Sequence, residues 1–119
     1  MPPAAPLTDR ARDRMALRFR ALGEPMRLKI LERLFRSAAS VGEILQSSGR
    51  SQANVSKHLA VLRASGVVRR RRDGARIVYS ISDPSIEKLC SVVCDAVGRE
   101  AREEAAAMTA LPPPRKGRS

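Results

Sequence analysis

Aromatic side chains are scarce: Phe19, Phe35 and Tyr79 are the only ones, and tryptophan is absent. The core must therefore be built from Leu, Ile, Val, Met and Ala, which favours packed helices, and no set of rings is available on which single-stranded RNA bases could stack. Histidine occurs once, as His58, and neither a nucleophile motif nor a phosphate-cradling glycine loop is present, so the chain is not expected to be an enzyme. No apolar run approaches the ~18 residues that a membrane span requires. Residues Met1 to Thr8 have neither the cationic start nor the apolar stretch of a secretory signal. A cytoplasmic protein without a membrane partner is expected, its two cysteines, Cys90 and Cys94, kept as thiols. Acidic residues are also few, 12 against 23 Lys and Arg, for a formal net charge of +11. An excess of that size on a small body attracts a polyanion at long range.

The length of 119 residues suits one domain. Three prolines mark residues 1–7 as a flexible N-terminus, and Pro112-Pro113-Pro114 with Arg115, Lys116 and Arg118 mark 111–119 as a flexible basic tail. The body, 8–110, shows no internal repeat. Met15, Phe19 and Leu22 recur at helical spacing within Asp9 to Leu22, which predicts an amphipathic helix. Gly23-Glu24-Pro25 interrupts it, and a second helix over Pro25 to Arg36 carries Met26, Leu28, Ile30, Leu31, Leu34 and Phe35, a wide apolar surface expected at the centre of the core. Ser40 and Glu43 form a capping-box pattern for a short third helix that buries Val41, Ile44 and Leu45, closed by a turn at Ser47-Ser48-Gly49-Arg50. Ser51 caps a fourth helix, Gln52 to Ala64. The period then changes: Val67, Val68 and an arginine run lead to the turn signal Asp73-Gly74, and Ile77, Tyr79 and Ile81 follow in alternation, which predicts a hairpin. Asp83-Pro84 opens a last helix reaching about Met108. The order α-α-α-α-β-β-α, mainly α with a small β-hairpin wing, is the winged helix-turn-helix layout.

Two blocks carry a more specific likeness. Phe19-Arg20-Ala21-Leu22-Gly23-Glu24-Pro25-Met26-Arg27-Leu28-Lys29-Ile30-Leu31 and Ser51-Gln52-Ala53-Asn54-Val55-Ser56-Lys57-His58-Leu59-Ala60-Val61-Leu62-Arg63-Ala64-Ser65-Gly66-Val67-Val68 resemble the ArsR/SmtB family of bacterial transcriptional repressors, over roughly residues 15–100. The resemblance implies a homodimer seated on palindromic double-stranded operator DNA and released by a metal, a metalloid or another chemical signal. The residues themselves point the same way. On the fourth helix Val55, Leu59 and Leu62 share one side, while Ala53, Ser56, Lys57 and Ala60 share the other, a short polar face suited to close approach in a major groove. Gln52 and Asn54, at the N-terminal end, are the candidates for base readout, with Ser51, Ser56 and Lys57 beside them. Arg69, Arg70, Arg71, Arg72 and Arg76 are candidates to grip phosphate or enter a minor groove. The plainer alternatives are a solvated helix face and an edge strand guarded against aggregation by charge. The resemblance places a hydrogen-bonding, structural histidine where His58 stands. Dimerisation is expected through the first and last helices, the latter extending Leu89, Val93 and Val97 beyond what a lone body of this size has core to cover.

The releasing signal is less readily assigned. The cysteine motif that metalloid-sensing members carry in the third helix is replaced by Val41-Gly42-Glu43-Ile44-Leu45-Gln46, and the His and Asp ligands that others carry on the last helix by Asp83, Ser85, Ala96 and Arg99. Cys90 and Cys94 remain, one helical turn apart. They are candidates to hold a thiophilic metal or metalloid ion, with Lys88 and Arg99 near enough on the helix to favour thiolates, or to undergo oxidation or persulfidation. No other cofactor is called for. The alternatives are that both pack as small hydrophobes and that the chain is a ligand-independent regulator or an architectural DNA-binding protein.

Overall fold

A computed structural model describes residues 6–110. Most of the two ends expected to be flexible, residues 1–5 and 111–119, lies outside the described residues. The elements run α1 (Asp9–Leu22), α2 (Pro25–Arg36), β1 (Ala39–Ser40), α3 (Val41–Ser48), α4 (Gln52–Ala64), β2 (Val68–Asp73), β3 (Arg76–Ile81) and α5 (Pro84–Ala110). Each helix start has a local cause. Thr8 accepts the Ala11 N–H to open α1, and Glu24 accepts the Arg27 N–H to open α2, with Pro25 in the first turn where its missing donor is harmless. Ser40 and Glu43 close the full capping box on α3, and Ser51 accepts the Asn54 N–H to open α4. The turn between α3 and α4 depends on Gly49, at φ 69°, a left-handed conformation that glycine adopts without a Cβ penalty.

The chain divides into two units, Met1–Ile86 and Glu87–Ser119. In the first, Ile30 and Leu31 of α2, Ile44 of α3, Val55, Leu59 and Leu62 of α4, and Val67 and Val68 leading into the sheet are almost wholly withdrawn from solvent. The sheet has the order β1-β3-β2, all antiparallel. In the second unit α5 runs alone over the described residues, with Leu89, Val92, Val93 and Val97 exposed. No helix among the described residues is long and apolar enough to cross a membrane.

Of α1, which is expected to take part in dimerisation, Ala21 and Leu22 are buried while Met15 and Phe19 stand 43% and 53% exposed. The expectations for α2, α3 and the sheet need correction. Of the wide apolar surface of α2, Leu28 is exposed and Phe35 half-buried, as are Val41 and Leu45 of α3. Strand β1 was not foreseen; it pairs Ala39 with Tyr79 and Ser40 with Val78 immediately before α3 begins. The hairpin turns one residue later than its sequence signal, because Asp73 pairs with Arg76 and leaves Gly74-Ala75 as the turn, with positive φ at Gly74 alone as a II′ turn has it.

Leu59 and Leu62 have no exposed surface. Replacing either with alanine is expected to cost about 2–5 kcal/mol of unfolding free energy, through lost transfer energy and the cavity left behind, as measured by urea titration.

Candidate nucleic-acid interface

Helix α4 presents its two sides as its sequence pattern requires. Val55, Leu59 and Leu62 are buried, and Gln52, Ala53, Asn54, Ser56, Lys57 and Ala60 are exposed. Burial of the apolar stripe fixes the rotation of the helix about its own axis, so the polar side faces solvent as a set. Ser51 is exposed at the N-cap with its oxygen on the Asn54 N–H at 3.2 Å, and the first N–H groups of the helix add partial positive charge at that end.

Polar contacts hold α4 at two further points. Near its C-terminal end the Arg18 Nε of α1 donates to the Ser65 carbonyl at 3.4 Å, while the Ser65 hydroxyl donates back to the Leu62 carbonyl at 2.8 Å. At mid-helix His58 is half-buried, with Nδ1 3.3 Å from a terminal guanidinium nitrogen of Arg27 and 3.7 Å from Glu24 Oε2. The same guanidinium donates through Nε to the Ala21 carbonyl at 2.6 Å and through its other terminal nitrogen to the Arg20 carbonyl at 3.2 Å. The Glu24 carboxyl is held below its usual value, chiefly by the Arg27 backbone N–H; burial opposes this, and the Met26 N–H and the nearby His58 and Arg27 add smaller lowering effects.

The wing carries Arg69, Arg70, Arg71 and Arg72 on β2, all exposed. They sit opposite Ser80, Tyr79, Val78 and Ile77 in turn. Strand alternation splits the run: Arg70 and Arg72 share a face of the sheet with Tyr79 and Ile77, and Arg69 and Arg71 share the other with Ser80 and Val78. Arg76 is differently engaged. Its guanidinium lies 3.3 Å from Glu43 Oε1, the carboxylate that also accepts the Ser40 N–H and hydroxyl at 3.0 Å and stands 3.9 Å from Arg33. Glu43 thus ties the wing to the start of α3 and to α2. The backbone N–H and then the hydroxyl of Ser40 lower its carboxyl most, with Arg76 and Arg33 adding to the effect. Arg18, Arg27 and the second role of Glu43 escaped the sequence pattern, since their partners stand 47, 31 and 33 residues away.

Cys90 is half-buried and Cys94 exposed, both as free thiols on α5. Burial, and after it the neighbouring Cys94, pushes the Cys90 thiol up. Among the described residues no group of three or more His, Cys, Asp or Glu side chains is gathered to hold a metal ion.

Residues 24–70 match the model of the bacterial regulatory protein arsR family. The HTH-type transcriptional regulator Rv0081 of Mycobacterium tuberculosis is 40% identical over 94 residues, 78% of this chain and 82% of the relative. The chain belongs to the ArsR family. It is accordingly a winged helix-turn-helix, DNA-binding transcriptional repressor. The crystal structure of Rv0081 superposes with a TM-score of 0.71 at 36% identity, covering 83% of this ArsR-family chain and 99% of that one. The homodimeric winged helix-turn-helix DNA-binding domain of Mb0332 from Mycobacterium bovis does so with a TM-score of 0.70 at 30% identity, covering 84% and 94%. A probable mercury resistance operon repressor of Streptomyces lividans is 42% identical over 77 residues, 65% of this chain and 62% of the relative.

The lowered Glu43 carboxyl contributes stability that is complete above the usual value of 4.5 and is lost as the pH falls through its lower value in the fold. Urea unfolding of wild type is therefore expected to weaken more between pH 7 and pH 3 than that of Glu43→Gln, the two curves converging at the acid end.

Proposed function

We propose that this repressor is a homodimer that reads a two-fold operator with α4 and grips the flanking backbone with its wing, acting in the cytoplasm as a regulator and not as an enzyme. The observation that carries the reading is the arrangement of α4, where Gln52, Asn54, Ser56 and Lys57 stand exposed as a set because Val55, Leu59 and Leu62 are buried behind them. Gln52 and Asn54 supply amides that both donate and accept, the chemistry that distinguishes base edges in the major groove. Ser51, Ser56, Lys57 and the four arginines of β2 supply phosphate contacts. Arg76 has a second task, holding the wing against Glu43. Charge supports the same reading: residues 1–86 hold 17 of the 23 basic residues against seven of the 12 acidic ones.

Dimerisation is supported by exposed apolar side chains that a second copy would cover, Met15, Leu17 and Phe19 on α1 and Leu89, Val92, Val93 and Val97 on α5. Two copies of one reading head match a palindromic site. The homodimeric state of the Mb0332 domain supports the same assembly here. For release, Cys90 and Cys94 are this chain's own candidates to take a thiophilic ion or a sulfur modification. The raised thiol of Cys90 favours a second reading, in which the two cysteines pack and the repressor responds to no thiol reagent; in the first, the partner subunit or solvent completes the coordination of the ion.

Operator selection from random duplexes, followed by binding titrations, tests the first reading. Gln52→Ala or Asn54→Ala is expected to cost about 1–3 kcal/mol on the selected site and to relax base preference, while Arg71→Ala weakens all sequences alike and lowers the salt slope by about one. Wing variants that alter base preference while α4 variants do not would reverse the assignment. Sedimentation is expected to give a dimer at micromolar concentration. Release by As(III), Sb(III), Cd(II) or persulfide is expected in wild type and not in the Cys90→Ser, Cys94→Ser double variant; identical behaviour of the two supports the packing reading.

A further inference from the structure

Helix α1 is anchored at its C-terminal end. Ala21 and Leu22 are buried, no side chain of residues 9–20 is, and Met15, Leu17 and Phe19 stand exposed. Arg27 of α2 holds this last turn through the Ala21 and Arg20 carbonyls. One turn further out, on the side of the helix that carries Leu22, stands Arg18. Its Nε donates at 3.4 Å to the carbonyl of Ser65, the C-cap of α4. Ser65 is itself fixed: it is buried, its N–H donates to the Val61 carbonyl at 3.1 Å and its hydroxyl to the Leu62 carbonyl at 2.8 Å. Gly66 completes the seat. At φ 82° it leaves open the place of a side chain, and a Cβ there would lie 3.3 Å from Nη2 and 3.7 Å from Nε of Arg18. The guanidinium edge bearing those two nitrogens is thus fitted against the chain at Ser65-Gly66, where the end of a helix concentrates negative partial charge.

We propose that Arg18 is a positioning residue for half-site spacing: by joining α1 to the C-terminal end of α4, it sets the angle between the surface through which two copies meet and the face that reads DNA. This rests on the homodimer and on the reading role of α4 proposed above. The stripe of Val55, Leu59 and Leu62 fixes α4 in its unit, so the element whose direction Arg18 decides is α1. A helix held over one turn is a lever, and a second attachment one turn away, reaching a neighbouring helix, fixes its direction. With Met15, Leu17 and Phe19 along that lever, the direction of α1 becomes the position of the second copy, and hence the separation and relative rotation of the two α4 helices. Such a pair matches one spacing of half-sites. The chemistry is particular to arginine, since lysine has a methylene where Nε donates and keeps only the charge.

Spacing is therefore what the experiment reads. The selected operator is compared with duplexes in which base pairs are added to or removed from the centre, each moving one half-site by about 3.4 Å and turning it by about 35°. Affinities are taken by fluorescence anisotropy at fixed salt. Wild type is expected to prefer the selected spacing, and Arg18→Met and Arg18→Lys are each expected to lose about fivefold of that preference, the scale of one hydrogen bond. Arg14→Met, which removes an exposed arginine one turn back on the same helix, is expected to keep it. Equal weakening of Arg18→Met on every spacing, with the salt slope lowered by about one, would make Arg18 a phosphate contact. A lower urea midpoint with the spacing preference intact would make it a structural residue only. Either result overturns the inference, as does a wild-type preference in Arg18→Lys or a loss in Arg14→Met, and each leaves the homodimer and the reading of α4 standing. Wild type that sediments as a monomer, or binds every spacing alike, overturns the proposed assembly as well.

Discussion

Burial of a single apolar stripe orients everything that faces outward from the first unit. Val55, Leu59 and Leu62 have no exposed surface, and they recur at the spacing that keeps them on one side of α4. A helix held by such a stripe has one rotational setting. Its polar residues are therefore presented as a fixed pattern, as the proposed reading role requires. A pre-set face limits the conformational entropy that binding must offset.

The polar contacts around that core act between elements more than within them. Glu43 serves the capping box of α3 and also receives Arg76 from the wing and Arg33 from α2. Arg18 brings α1 to the end of α4, and Arg27 brings it to the middle. Individually such partly exposed contacts add little to stability. Their value is geometric, because each fixes the distance between two elements that the apolar core alone holds more loosely.

What was legible in the sequence was what is local. The bounds of α1, α2 and α4 follow from caps and breakers read within four residues, at Gly23-Glu24-Pro25, Ser51 and Ser65-Gly66, and the division of α4 into two sides follows from periodicity. The rest depends on partners distant in the chain. Strand β1 is two residues whose hydrogen-bonding mates lie 38 to 40 positions further on, and Ser40 was already accounted for as a cap. Met15 and Phe19 show the limit of periodicity, which marks an apolar face without saying whether the same unit covers it. At Cys90 the charges of Lys88 and Arg99 were visible in the sequence, while the burial that raises the thiol was not. The candidate bases and phosphate grips were legible as residue types, but the pairing of Arg76 and the splitting of the β2 arginines needed the register.

That splitting has a colloidal side. In the order β1-β3-β2, strand β2 is an outer edge, and its backbone groups on the far side are free to pair with a strand from another molecule. Arginines alternating to both faces leave no approach to this edge that avoids positive charge, so two wings repel from above and from below. The side chains proposed to draw a polyanion in are the same ones that guard this edge. Neutralising them would open a template for sheet growth, and high salt, which screens exposed charge, weakens the guard.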